Sequence, residues 1–285
     1  MTWPGLALHL PRAPFGLGAN RGLHLKSFSA MKKATPIPVT PADVEPAAVS
    51  LRGKLALVTG ATQGIGLATA QSLAAQGCDL ILCARNQRRL AAAESQLSRT
   101  PISVQTLSCD VRDEKSVASM FATIRKKVSH LDILINSAGI AHPFKPITSL
   151  STKEWNQVLA TNLTGTFLVT RTALPLMSRG SSIVNVLSMS SKRAFPNLGA
   201  YNASKFGALG LTNTLREELR SQGIRVIAAL PGSTDTPIWN TLWPEAPRHR
   251  MMRAETVAQA IVAALRLPPD TTVEELDLMP TGGAL

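Results

Sequence analysis

The chain has 285 residues, 45% of them hydrophobic, and a formal net charge of +12. That is apolar material for one large core or two small ones, and it excludes a disordered chain. Three cysteines exclude a disulfide scaffold, 19 glycines without a period exclude a collagen-like chain, and no apolar run approaches the roughly 20 residues of a membrane helix.

The basic residues are scattered, and no cluster is longer than Arg125-Lys126-Lys127. A solvated surface with an anionic cofactor accounts for this charge without a nucleic-acid partner. Cys78, Cys83 and Cys109 form no C-x-x-C pair, and each lies in or beside an apolar run. They read as small core residues in a reducing compartment. His9, His24, His130, His142 and His249 show no ligand spacing with them, which argues against zinc.

Residues 1–42 contain no Asp or Glu but hold Arg12, Arg21, Lys26, Lys32 and Lys33 among Leu, Ala, Pro and Gly. This composition predicts a transit peptide for a chloroplast or mitochondrion. The other readings are a disordered tail, or an upstream extension with translation from Met31 and a cytoplasmic protein. Lys33–Ser50, rich in Pro, Ala and Val, reads as a linker. A single domain is expected over 51–285.

From Leu51 onward, apolar strand-like runs alternate with amphipathic stretches. Strands are predicted at Lys54–Val58, Asp79–Cys83, Val104–Leu107, Leu131–Ile135, Ser182–Val186, Val226–Leu230 and Val273–Met279. Helices are predicted at Ile65–Gln76, from the Asn86 cap to about Ser98, at Glu114–Val128, Glu154–Met177, Ala200–Ser221 and Glu255–Leu265. Strict alternation predicts an α/β, doubly wound Rossmann fold: a seven-stranded parallel sheet with helices on both faces. Ligands of such sheets sit at the carboxyl ends of the strands, so the residues that follow strands matter most.

Thr59-Gly60-Ala61-Thr62-Gln63-Gly64-Ile65-Gly66 follows the first strand and opens a helix. Glycines let the backbone turn tightly beside a pyrophosphate, and the helix N-terminus offers free N–H groups. The second strand ends Cys83-Ala84-Arg85-Asn86, with Arg88 and Arg89 beyond. A carboxylate there would bond a ribose 2′-OH, whereas Arg85 suits a 2′-phosphate, so NADP (NADPH) is the expected cofactor. Asp110-Val111 and Asn136-Ser137-Ala138-Gly139 end the third and fourth strands and suit adenine and ribose contacts. Tyr201, the only tyrosine, shares a helix face with Lys205 one turn on. Ser188 closes the preceding strand, and Asn162 sits midway along the long helix, where a buried amide needs partners.

In order, Thr59-x3-Gly64-x-Gly66, Asp110, Asn136-x-Ala138-Gly139, Asn162, Ser188, Tyr201-x3-Lys205 and Pro231-Gly232 resemble the short-chain dehydrogenase/reductase family. The glycine spacing is similar to its shorter, oxidoreductase-type subgroup, including 3-oxoacyl-carrier-protein reductases and carbonyl reductases. The resemblance implies a carbonyl–alcohol reaction on a small molecule, with a 3-oxoacyl thioester among the candidates. In it Tyr201 is the acid–base group, Ser188 bonds the reacting oxygen, Lys205 holds the nicotinamide ribose and favours the phenolate, and Asn162 anchors a water. Thr236, after Pro231-Gly232, would hold the nicotinamide carboxamide. A homodimer or homotetramer is implied as well. Ser137 stands where the family more often has a second Asn, a mild departure. The short segment from Pro237 to Arg253 carries Trp239, Trp243, Arg248, His249 and Arg250. It reads either as an amphipathic surface flap or as a small lid over a pocket for acidic or carrier-linked substrates. The alternative to an enzyme is a catalytically silent NADP-binding regulatory or scaffold protein.

Overall fold

Strands and helices alternate through the computed structural model, which describes residues 48–283 and Leu285. The elements are β1 (Leu55–Thr59), α1 (Gly64–Ala75), β2 (Asp79–Ala84), α2 (Gln87–Leu97), β3 (Val104–Ser108), α3 (Glu114–Arg125), β4 (Ile133–Asn136), α4 (Thr152–Leu159), α5 (Gly165–Ala173), β5 (Ser182–Val186), α6 (Gly199–Arg220), β6 (Arg225–Pro231), β7 (Thr234–Asp235), α7 (Trp239–Leu242), β8 (Met252–Arg253), α8 (Ala254–Leu265) and β9 (Glu275–Leu278). Of the expected transit peptide and linker, only Ala48, Val49 and Ser50 fall within the described residues. The Val49 N–H already donates to the Arg266 carbonyl at 2.8 Å.

The main sheet runs β3-β2-β1-β4-β5-β6-β9, parallel throughout. The inner strands are largely apolar on both faces because both faces are covered. Ala56 and Val58 of β1 point into the core shared with α1, α2 and α8, and Leu57 points into the opposite core with α3, α5 and α6. Ala68, Ala254 and Ala258 let α1 and α8 approach closely. Asn86 caps α2, Asp113 caps α3, and Ser151 with Glu154 forms a capping box on α4. Strand order reverses between β1 and β4, which opens a crevice beyond their carboxyl ends.

The sheet and its seven strands are as expected, but several details differ. The helix expected over Glu154–Met177 is divided: a π turn, Ala160–Thr164, separates α4 from α5, and a 3₁₀ turn, Leu174–Leu176, ends it at Pro175. The last strand begins at Glu275, not Val273. The segment after β6 is tied back by a small parallel ladder, Thr234↔Met252 and Asp235↔Arg253. Among the described residues no helix is long and apolar enough to cross a membrane.

Gly165 opens α5 directly after the π turn. A Cβ there would lie 2.8 Å from Val111 Cγ2 and 3.2 Å from the Val111 carbonyl oxygen. Gly165→Ala is therefore expected to destabilise by about 1–3 kcal/mol through overpacking. An unchanged thermal midpoint would show that this contact is not tight.

Candidate active site

The turn between β1 and α1 is closed by backbone against backbone. A Cβ on Gly66 would sit 2.4 Å from the Gly60 carbonyl oxygen, and Gly60 itself has φ +66°. Only glycines permit this approach. The turn delivers the N-terminus of α1 to the crevice with no side chain capping it. Its first N–H groups have no intrahelical acceptor and its dipole end is positive, a setting for phosphate. Gly60, Gln63, Gly64 and Ile65 line a cavity of about 400 Å³ that runs along the carboxyl ends of the strands. Thr236 lies over this turn, its Cγ2 3.1 Å from where a Cβ of Gly64 would be.

At one end of the cavity stand Arg85, Asn86 and Arg89, after β2. The Asn86 side chain accepts from the Arg89 N–H at 3.0 Å, and the Arg89 guanidinium donates to Gln63 Oε1 at 3.0 Å. These bonds fix a cationic corner beside the glycine turn. Asp110 and Val111 form the adjacent wall. Arg112 pairs with the Asp110 carboxylate at 2.5 Å, and this bond holds that carboxyl below the usual range. Cys83 and Cys109 lie in the floor. All three cysteines are free and buried.

At the other end are Ser188, Tyr201 and Lys205. Ser188 ends the loop after β5, and Tyr201 and Lys205 come from the first turns of α6. Burial pushes the Tyr201 hydroxyl up, partly offset by its hydrogen bond from Ser188. Desolvation lowers Lys205 to about 8. The Lys205 ammonium donates to the Val186 carbonyl at 3.0 Å and lies 5.6 Å from the Tyr201 ring centre. Pro231 and Gly232 border this end, as do Ala138 and Gly139.

Four other sequence-derived positions stand behind the wall and do not line the cavity. Gly66 is buried in the turn. Thr59 Oγ1 accepts from the N–H groups of Ser137 (3.1 Å) and Ala138 (3.2 Å). Asn136 donates to Thr170 Oγ1 and Asn185 Oδ1, both at 2.9 Å. Asn162, in the π turn, clasps Ile140: Oδ1 accepts from its N–H and Nδ2 donates to its carbonyl, both at 2.9 Å. The same Nδ2 donates to Ser204 Oγ at 3.0 Å. A π turn places one extra residue in the helix and turns this amide toward the loop after β4. The Cβ that Gly139 lacks would come 3.5 Å from Asn162 Oδ1 and 3.9 Å from Lys205 Nζ, so glycine keeps the space between them open. Asn86 was read only as a helix cap and Arg89 only as a base beyond Arg85, and both also line the cavity. The wall formed by Phe144, Leu198 and Leu242 had no local signal at all.

The donor set fits a dinucleotide: cations at the far corner, bare N–H groups at the turn, and Tyr201 with Lys205 at the reacting end. Sheet order, turn and side chains together define a Rossmann-type oxidoreductase. The short chain dehydrogenase family profile matches residues 54–247, and the chain belongs to the short-chain dehydrogenase/reductase family. It is 37% identical over 186 residues to a 3beta-hydroxysteroid dehydrogenase of Mediterraneibacter gnavus, covering 65% of this chain and 67% of that one. An alcohol dehydrogenase of the archaeon Thermococcus sibiricus, complexed with 5-hydroxy-NADP, superposes with a TM-score of 0.76 at 29% identity, over 81% of this chain and 97% of that one. A 3-ketoacyl-(acyl-carrier-protein) reductase of Brucella melitensis, complexed with NADH, gives a TM-score of 0.72 at 28% identity, over 80% and 97%.

The depressed Lys205 sets a pH dependence. Its charge is complete well below about 8 and is lost as pH rises through that value. A reduction in which Tyr201 gives the proton beside a charged Lys205 is expected to lose kcat/KM above about pH 8. In Lys205→Arg, which stays charged at any working pH, the descending limb should move upward. A limb that stays put in that variant would assign the titration to another group.

Proposed function

We propose that the protein interconverts a carbonyl and a secondary alcohol with NADP(H) as hydride partner. The observation that carries this reading is the convergence of Ser188, Tyr201 and Lys205 at one end of a cavity whose other end is cationic. The nicotinamide, when bound, supplies or accepts the hydride. Tyr201 donates its hydroxyl proton to the carbonyl oxygen in reduction and takes it back in oxidation. Ser188 hydrogen-bonds the same oxygen and fixes its distance from Tyr201. Lys205, a cation beside the phenol, favours the phenolate that proton donation leaves behind. Asn162 is a positioning residue, and the open space at Gly139 suits a water between its amide and Lys205.

The preference for NADP rests on this chain's own residues, because the structural relatives carry both kinds of cofactor. Arg85 and Arg89 offer two guanidinium groups where Ala84 leaves no carboxylate. A 2′-phosphate gains charge-assisted bonds there that a ribose hydroxyl does not. Two further proposals accompany this one. The exposed rings of Phe167 on α5 and Phe206 on α6 support a homodimer or homotetramer, which light scattering of the full chain measures. The acid-free residues 1–42 support import into a chloroplast or mitochondrion, which a reporter fusion reads.

Tyr201→Phe removes one hydroxyl and little packing. Turnover is expected to fall by about 10²-fold or more, the scale of a positioned acid–base group, with NADPH binding retained. Undiminished turnover would refute the mechanism. Binding of NADPH without reduction of any carbonyl by the wild-type protein would favour the silent scaffold. Wild-type protein should prefer NADPH to NADH, and Ala84→Asp with Arg85→Ser should reverse that order. Equal use of both cofactors by the wild type would sink the role given to Arg85.

A further inference from the structure

Beyond Ser188 and Tyr201 the cavity continues between the loop after β4 and the segment that carries α7. Its wall there is Phe144, Phe195, Leu198, Trp239, Leu242 and Trp243. The Trp239 indole N–H donates to the Thr234 carbonyl at 2.8 Å. That bond uses the ring's one donor and fixes its plane, leaving only apolar surface to a ligand. Phe144 and Trp243 pair across the mouth with ring centres 6.0 Å apart, and the Phe144 N–H donates to the Leu242 carbonyl at 3.0 Å. Both rings are large apolar groups left exposed in the described chain.

The cations near this mouth are committed elsewhere. Arg248 donates to Asp235 at 2.7 Å, to the Thr236 carbonyl at 2.8 Å and to Asn240 Oδ1 at 2.8 Å, which ties the segment to itself. Lys145 pairs with Glu154 at 2.8 Å, and Lys192 pairs with Asp277 at 2.8 Å and with Glu275. Arg193 packs over the Phe195 ring. None of these, nor His249 or Arg250, lines the cavity among the described residues. The lining cations are Lys205 at the reacting oxygen and Arg85 and Arg89 at the far corner. An anionic group seated against the aromatic wall would lose its hydration with no cation in return.

We infer that the substrate is an uncharged ketone or secondary alcohol bearing a ring-sized apolar group, which sits against Trp239 and the paired rings of Phe144 and Trp243. This inference departs from the reading of the segment that carries α7 as a lid for acidic or carrier-linked substrates. This inference rests on the carbonyl-reducing reading for the word ketone, and on the wall alone for the apolar group.

The test uses the full chain and three probes: 4-phenylcyclohexanone, 4-oxocyclohexanecarboxylate and acetoacetyl-coenzyme A. Calorimetry with and without NADP⁺ measures binding where no hydride is available, and kcat/KM with NADPH measures turnover. The phenyl ketone is expected to bind at least about tenfold more tightly than the carboxylate, and to be reduced with the highest kcat/KM of the three. In Trp243→Ala and Phe144→Ala, whose side chains are exposed and whose loss leaves the core intact, that preference should shrink by about tenfold. A preference for the carboxylate or the thioester, or a phenyl preference that survives both variants, would overturn the inference. Preferential binding of the phenyl ketone without reduction would overturn the carbonyl-reducing reading and leave the wall as assigned.

Discussion

One buried hydroxyl holds the two halves of the site in register. Thr59 ends β1 at the switch point, and its oxygen accepts from the first two N–H groups beyond β4, those of Ser137 and Ala138. This clip sets the distance between the glycine turn on one side and the Ala138-Gly139 loop on the other. The loop then passes the constraint on. Ile140 is gripped at both its N–H and its carbonyl by Asn162. Asn162 also holds Ser204, whose hydroxyl donates to the Tyr201 carbonyl at 2.7 Å. The glycine turn and the Tyr201–Lys205 pair are thus joined by a short run of buried hydrogen bonds, each costly to leave unmade.

Behind that chain lies a second polar layer, unusual in the middle of a parallel sheet. Asn136 and Asn185 stand opposite one another in register on β4 and β5. Asn136 bonds Asn185 and Thr170, and Asn185 bonds Thr212 at 2.9 Å. Apolar strands alone can slip against their neighbours, whereas a slip here would strand several buried amides and hydroxyls. The layer spends hydrophobic burial to fix which residues of β4 and β5 reach the crevice.

The fold was legible because β1, β2, β4, β5 and β6 are largely apolar runs set between helical stretches. The glycine turn and the Tyr201–Lys205 pair were legible because local spacing alone puts those groups together. What stayed hidden depends on partners distant in sequence. The π turn leaves no trace in the periodicity of 154–177, since its compensation is the clasp on Ile140. Asn136 read as a loop residue at the cofactor, yet its amide faces inward to Thr170 and Asn185. The segment that carries Arg248–Arg250 read either as a surface flap or as a lid for acidic substrates, because nothing local shows that Arg248 closes on Asp235 and Asn240. The aromatic wall draws on loops after β4, β5 and β6, so no window of sequence contains it.

The π turn also makes the stretch between Ser151 and Leu174 a length standard. Each residue of a helix advances the side-chain direction by about 100°. Removing one residue ahead of Asn162 would swing its amide away from Ile140, and removing one after it would turn Gly165 away from Val111 and put a side chain in its place. The rest of the segment would still be a helix with the same composition and the same capping box. Insertions and deletions are therefore forbidden here for a reason that helix propensity does not report. The exposed turn at Pro244 and Glu245, which answers to no such clasp, is where the chain is free to change its length.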